Sequence, residues 1–239
     1  MNINTIKYKG YDINYYHRKD LVALAKNIID RDDLIVEEEY RNSDRSVVRK
    51  IKYNNEKLII KESKNEKRAI IKKIGSYFSK GESLITLINI NSFLDKRVKL
   101  YEPYVAIQSR KNGFIDESYL VTNFISDREA RDPKYFNEVC NLIKLLHENG
   151  KAHGDTKLDN FLIDNDNNVV IIDTRLRGVG LLNLRKYYDY LNIKNDIKNV
   201  EEYIEIKKTI SYYLALFILN FKKTNFFKLI RALRKKLKR

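Results

Sequence analysis

The sequence predicts an α+β chain in which a sheet-rich half, running to about Phe124, precedes a mainly helical half, residues 125–239. Three observations predict it. Between Asp33 and Lys61, three short runs rich in Val, Ile, Leu and Tyr are separated by turns of Asn, Ser and Asp. After Asp132-Pro133 the apolar residues change to helical spacing. No internal repeat and no Pro/Gly/Ser-rich linker interrupts the chain, so it reads as one domain, 1–239, whose two lobes are set by the order of elements.

Asp20 is placed to cap a helix whose apolar residues Leu21, Leu24, Ala25, Ile28 and Ile29 follow helical spacing. Strand-like runs follow at Asp33 to Tyr40, Val47 to Tyr53 and Lys57 to Lys61, an antiparallel meander. A basic, helix-compatible region extends from about Asn65 to Leu94 with breaks near Gly75 and Gly81. Strands at Tyr104 to Ser109 and Tyr119 to Ile125 are joined through Lys111-Asn112-Gly113. In the second half, Asp132 caps and Pro133 opens a helix whose apolar face is Tyr135, Val139, Leu142, Ile143 and Leu146, and Gly150 ends it. Short strands at Phe161 to Ile163 and Val169 to Ile172 flank a turn at Asn165 to Asn168, and helices fill the remainder.

Composition narrows the function classes. Hydrophobic residues make up 43% of the 239, and 27 are Tyr or Phe, which is ample for a buried core and far above a disordered chain. The single cysteine, Cys140, excludes an intrachain disulfide framework and a multi-cysteine metal site, and fits a reducing compartment. Residues 1–10 have no apolar core of the signal-peptide kind, and the best apolar run, Thr209 to Phe221, is shorter than a membrane span. The expectation is a soluble, basic, cytoplasmic protein. Its net charge of +15 is unevenly spread: eleven Lys and Arg lie between Lys207 and Arg239, and no acid follows Glu205. A localised charge asks for a localised partner.

The chemistry-bearing segment is His153-Gly154-Asp155-Thr156-Lys157-Leu158-Asp159-Asn160, followed by a hairpin ending in Ile171-Ile172-Asp173. Taken singly, each polar residue is ordinary turn chemistry. As a set, with Lys two residues and Asn five residues after the Asp, they resemble the catalytic loop of the protein-kinase-like superfamily, in which a metal-binding Asp closes the next hairpin. The resemblance implies a two-lobed protein-kinase-like fold that uses ATP and Mg²⁺. Asp155 would orient the acceptor hydroxyl as catalytic base, Lys157 would neutralise charge on the γ-phosphate, and Asn160 and Asp173 would hold Mg²⁺. Such transfer needs a carboxylate near the acceptor and oxygen ligands for the metal. Lys61 ends the apolar run Leu58-Ile59-Ile60, where this fold places the lysine that contacts the α- and β-phosphates. Glu82 is the first candidate for the helix acid that pairs with it, with Glu62 and Glu66 as alternatives. Tyr119 to Ile125 resembles the last strand and hinge, where backbone groups near Asn123 and Ile125 would hold adenine.

Two departures stand out. The turn where the family has a glycine-rich phosphate loop is Arg41-Asn42-Ser43-Asp44-Arg45-Ser46, with no glycine, and a Cβ at every position hinders close approach to phosphate. The acidic-phenylalanine-glycine triplet is replaced by Asp173-Thr174-Arg175. A narrower resemblance, to the lipopolysaccharide core heptose kinases, rests on the short length, the opening helix, Lys-Leu-Ile-Ile-Lys, Leu-His-Glu-Asn-Gly before His-Gly-Asp, Asn-Phe-Leu-Ile, Ile-Ile-Asp and the basic end. It implies phosphorylation of an inner-core heptose on a lipid-linked oligosaccharide at the inner face of the cytoplasmic membrane. A kinase for another small hydroxyl substrate or for protein Ser/Thr, and a non-catalytic kinase-like module, are the alternatives.

In the tail, Phe226, Ile230, Leu233 and Leu237 share one helical stripe among Lys and Arg. A basic amphipathic helix of this kind suits an anionic membrane surface. A final helix packed on the C-lobe is the competing reading. Nucleic-acid binding ranks below both, because no nucleic-acid fold accompanies the basic stretch.

Overall fold

The computed structural model describes residues 3–64, 77, 79–93 and 98–224. They divide into two compact units. The first joins the chain up to Asp127 with Ile163–Arg175, and the second joins Arg128–Leu162 with the chain from Leu176 onward.

The first unit is built on a seven-stranded antiparallel sheet. Its strands are β1 (Asn4–Tyr8), β2 (Tyr11–Tyr15), β3 (Ile35–Asn42), β4 (Ser46–Tyr53), β5 (Glu56–Ser63), β6 (Pro103–Lys111) and β7 (Phe114–Asn123), in the order β1-β2-β6-β7-β5-β4-β3. Three tight turns use positive φ at both central residues: Lys9-Gly10, Asn54-Asn55 and Asn112-Gly113. Such turns match the right-handed twist of the strands they join. The β3-β4-β5 meander and the β6-β7 pair agree with the sequence reading. The β1-β2 hairpin adds two strands that the sequence reading does not contain. β3 is an edge strand exposed along its whole length.

A helix, α1 (Val22–Asp30), buries Val22, Leu24, Ala25 and Ile28. They join Ile13, Ile51, Leu58, Val105, Ile107 and Val121 in one apolar cluster. Asp20 does not cap it. A 3₁₀ turn, Lys19–Leu21, precedes the helix, and the Asp20 carboxylate is held by the Arg18 guanidinium at 2.8 Å, which keeps its carboxyl below the usual range. A second helix, α2 (Glu82–Asn91), starts at Gly81 and fixes itself to the sheet through Ser83 Oγ to Ser118 Oγ at 2.7 Å and Asn91 Nδ2 to the Pro103 carbonyl at 3.0 Å. Within the expected 65–94 helical region, residues 65–76, including Glu66 and Gly75, and residues 78 and 94 lie outside the described residues.

The second unit contains α3 (Phe136–Glu148), α4 (Leu184–Ile193) and α5 (Ile210–Lys223), with a two-stranded pair of β8 (Lys151–Ala152) and β11 (Arg177–Gly178). Asp132 accepts the Lys134 N–H at 3.0 Å, with Pro133 opening the turn that leads into α3. Gly150, at φ +69°, closes that helix by donating to the His147 carbonyl at 3.0 Å. The boundary between units falls inside β9 (Phe161–Ile163), and β10 (Val169–Ile171) belongs to the first unit, where Ile171 exchanges backbone hydrogen bonds with Lys99 and Tyr101. β7 stops at Asn123, so Ile125 lies beyond the strand in which the sequence reading places it. The stripe Phe226/Ile230/Leu233/Leu237 lies outside the described residues.

Cys140 sits on the buried face of α3, and burial pushes its thiol up to about 12. The thiolate is the reactive form. Iodoacetamide at pH 8 should leave the native protein unlabelled and should label it once the protein is unfolded in denaturant; mass spectrometry reads the difference, and fast labelling of the native chain would contradict the packing.

Candidate active site

The motif residues fall in both units: Lys61, Glu82, Asn123, Ile125 and Asp173 in the first, and Asp155, Lys157 and Asn160 in the second.

In the second unit, the loop from His153 to Asn160 lies between β8 and β9, where its main-chain groups need partners from elsewhere. Asp189, fully buried on α4, supplies them. Its Oδ2 accepts the His153 N–H and its Oδ1 the Gly154 N–H, both at 2.8 Å. His147 Nε2 meets Oδ2 at 3.0 Å, and Thr156 Oγ1 donates to the Asp189 carbonyl at 2.6 Å. His153 accepts the Asp155 N–H on Nδ1 at 3.2 Å and stacks on Phe161. Further along, Asp196 accepts the Leu158 N–H at 2.9 Å, and Asp159 pairs with Arg131.

These anchors leave the Asp155 and Lys157 side chains outward. Asp155 and Lys157 are each more than half exposed and form an ion pair at 3.1 Å. Asn160 donates its Nδ2 to the Asp155 carbonyl at 2.7 Å. Its side-chain nitrogen is thereby committed, and Oδ1 is the end suited to a hard cation. Asp155, Lys157 and Asn160 thus share one braced loop.

In the first unit, Lys61 on β5 forms an ion pair with Asp173, 112 residues later. Glu82, at the first turn of α2, forms one with Arg175. All four line one small cavity of about 20 Å³, with Tyr101 and Thr174 beside them. The carboxylate proposed from the sequence as the partner of Lys61 therefore meets a guanidinium, and the Lys61 ammonium meets the carboxylate assigned to the metal. Glu62 lines a separate cavity of about 530 Å³ with Arg31, Val47, Ile60 and Asp116; adjacent strand residues point to opposite faces. That larger cavity contains none of the motif residues.

The segment Asp173-Thr174-Arg175 is pinned along its main chain. Tyr101, whose phenol burial pushes far up, donates to the Thr174 carbonyl at 2.9 Å, and Asn89 Nδ2 donates to the Arg175 carbonyl at 2.9 Å. Asp173 has φ +51°, an uncommon conformation for a residue with a Cβ. At the end of β7, Asn123 N–H donates to the Glu102 carbonyl at 3.0 Å and Asn123 Oδ1 accepts the Glu102 N–H at 2.7 Å. The Asn123 N–H is thus already paired. Ile125 follows it past the strand end.

The glycine-free turn has its own device. Ser43 Oγ accepts the N–H groups of Arg45 and Ser46 at 3.2 and 3.3 Å, and Ser43 N–H donates to the Ser46 carbonyl at 3.0 Å. A serine hydroxyl folds the turn where the kinase pattern uses glycine.

Sequence reasoning missed Asp189, Arg175 as an ion-pair partner, and the supports Tyr101 and Asn89. For Asp189 the usable signal is a lone acid among tyrosines, Tyr187-Tyr188-Asp189-Tyr190, on the apolar side of a helix. Replacing Asp189 with Ala removes the acceptor of the buried His153 N–H, of the part-buried Gly154 N–H and of a buried imidazole. Denaturant titration should show a loss of about 3–5 kcal/mol, with a smaller loss for Asp189→Asn, which keeps one acceptor oxygen. Losses below about 1 kcal/mol for both would refute the anchoring role.

No family model matches the chain. Among curated proteins, it is similar to the proteins named hormonally up-regulated neu tumor-associated kinase of Mus musculus and of Homo sapiens. Each is 28% identical over 92 residues, which is 38% of this chain. The match spans 13% of the length of either relative, so the likeness is to a kinase-named protein over a limited segment.

Proposed function

We propose that this chain is an ATP-dependent phosphotransferase with an alcohol acceptor. The observation that carries the reading is the Lys61–Asp173 ion pair, which joins two motif residues 112 positions apart with Glu82 in one cavity. The partial likeness to a kinase-named protein and the braced Asp155 loop support it.

In the proposed reaction, the acceptor hydroxyl oxygen attacks the γ-phosphorus of ATP, the bond to the β,γ-bridging oxygen breaks, and ADP leaves. The hydroxyl proton passes to the Asp155 carboxylate. Lys157 offsets charge on the transferring group, and Lys61 binds the α- and β-phosphate oxygens. The Asp173 carboxylate and Asn160 Oδ1 are oxygen donors of the kind Mg²⁺ takes, and the ion would supply charge neutralisation on the phosphates. Adenine would meet main-chain groups near Ile125, since the Asn123 N–H is committed to Glu102.

We take the acceptor to be a sugar hydroxyl, with an inner-core heptose of lipopolysaccharide as the specific case. This narrower statement rests on the sequence resemblance alone.

Asp155→Asn and Asp173→Asn should each lower ATP-dependent transfer by about 10²–10⁴-fold, read as ADP release with acceptor present. Nucleotide affinity should survive in Asp155→Asn, whose side chain faces the acceptor. Turnover close to the parent protein in either variant removes the phosphotransferase assignment. For the acceptor, intact glycolipid from a strain lacking the protein should be lighter by one phosphate per core in mass spectrometry; an unchanged mass removes heptose and leaves the transferase reading standing on the variants.

A further inference from the structure

Helix α5 has two unlike faces. One packs within the second unit: Ala215 is fully buried, the Tyr212 ring stands edge-on to Tyr187 with centroids 6.0 Å apart, and Thr209 Oγ1, at the helix cap, donates to the Tyr187 hydroxyl at 2.9 Å. The other face presents Ile210, Tyr213, Leu214, Phe217 and Phe221, spaced i, i+3, i+4, i+7 and i+11. These side chains are exposed, Ile210 by 86% and Phe217 by 66%, and the Phe217 and Phe221 rings stack on each other. Isolated apolar residues on a surface are normal; a continuous stripe along a helix marks an interaction site.

Charge says what the stripe meets. Lys207 and Lys208 lie exposed just before the helix, Lys222 and Lys223 end it, and the following sequence adds seven Lys and Arg with no acid. A second copy of the chain would bring the same lysines against one another across a symmetric contact, and each copy carries +15. An anionic lipid surface offers the opposite charge and, beneath its headgroups, an apolar layer for aromatic and aliphatic side chains.

We propose that this face of α5 lies on an anionic membrane surface, with Ile210, Tyr213, Leu214, Phe217 and Phe221 entering the headgroup boundary and Lys207 and Lys208 meeting lipid phosphates. The sequence reading put this role on the later stripe at Phe226 to Leu237; α5 is a separate and described surface. Among the described residues no helix is long and apolar enough to cross a membrane, so the contact is with the interface plane. The proposal goes beyond phosphoryl transfer and does not depend on it.

The chain has no tryptophan, so Phe217→Trp gives a single reporter that keeps the stripe. With the full chain, Trp emission should shift to the blue on vesicles of phosphatidylcholine mixed with phosphatidylglycerol, and much less on phosphatidylcholine alone. Ile210→Ser with Phe217→Ser should weaken sedimentation with the anionic vesicles about tenfold and leave the thermal melt unchanged, because both side chains are exposed. Lys207→Gln with Lys208→Gln should weaken it by a similar factor, less at high salt. No blue shift, or unchanged vesicle binding in the double-Ser variant, overturns the proposal. So does loss of cooperative unfolding in that variant, which would mean the face is packed. A dimer that the double-Ser variant dissolves without any vesicle binding overturns it in favour of self-association, and duplex DNA binding that outcompetes vesicles overturns it in favour of nucleic acid.

Discussion

A carboxylate with no solvent exposure costs several kcal/mol unless its lone pairs are filled, and Asp189 fills them with the main chain of the loop that holds the motif. This coupling is mutual. The carboxylate accepts from the His153 and Gly154 amides, and those amides together with His147 fill its oxygens. The loop conformation, the tilt of His153 on Phe161, and the outward aim of Asp155 and Lys157 therefore all follow from one side chain on α4. Thr156 strengthens the arrangement by using the carbonyl of the same residue.

The first unit solves a related problem by a different route. Asp173 is held at positive φ, which costs on the order of 1–2 kcal/mol for a residue with a Cβ. Such a conformation persists when the surroundings over-determine it. Here the next two carbonyls are fixed by Tyr101 and Asn89, and the Asp173 side chain is fixed by Lys61. The turn before it is equally specified. Burial alone would raise the Asp164 carboxyl, but N–H groups of Asn168 and Asp166 bring it below its usual range, so the turn's contribution is lost as pH falls through that lowered value.

The meander β3-β4-β5, the β6-β7 pair with its Asn112-Gly113 turn, and the Asp132-Pro133 start leading into α3 were legible because local chemistry alone dictates them. The β1-β2 hairpin was harder. Its alternation of Ile6, Tyr8, Tyr11, Ile13 and Tyr15 is diluted by Asn and Lys, though Lys9-Gly10 between them is a usable turn signal. Asp20 misled because an acid just before an apolar run reads as a cap, whereas Arg18 claims its carboxylate first. Motif spacing named Asp155, Lys157, Asn160 and Asp173 as a set, and the end of the apolar run Leu58-Ile59-Ile60 named Lys61. It could not name Asp189, which acts on Gly154 from 35 residues away, nor the choice of Arg175 over Lys61 as a partner for Glu82, because both are decided by tertiary placement.

The segment Asp173-Thr174-Arg175 sets the electrostatics of the cavity around Lys61. Two cations and two anions share it, paired as Lys61 with Asp173 and Arg175 with Glu82, so the four side chains sum to no net charge. At about 20 Å³ the cavity admits little more than one water, and a phosphate oxygen would reach Lys61 only from its open side. An ammonium has three donors, so Lys61 can keep Asp173 and donate to a phosphate oxygen at once. A guanidinium, by contrast, matches a carboxylate in a planar fork and releases it less readily than an ammonium does. With Glu82 satisfied by Arg175, the position of Lys61 depends on Asp173 in place of the helix acid. Under the proposed transfer, the phosphate-binding lysine and the metal-binding carboxylate are then one mechanical unit: a change that displaces either displaces both.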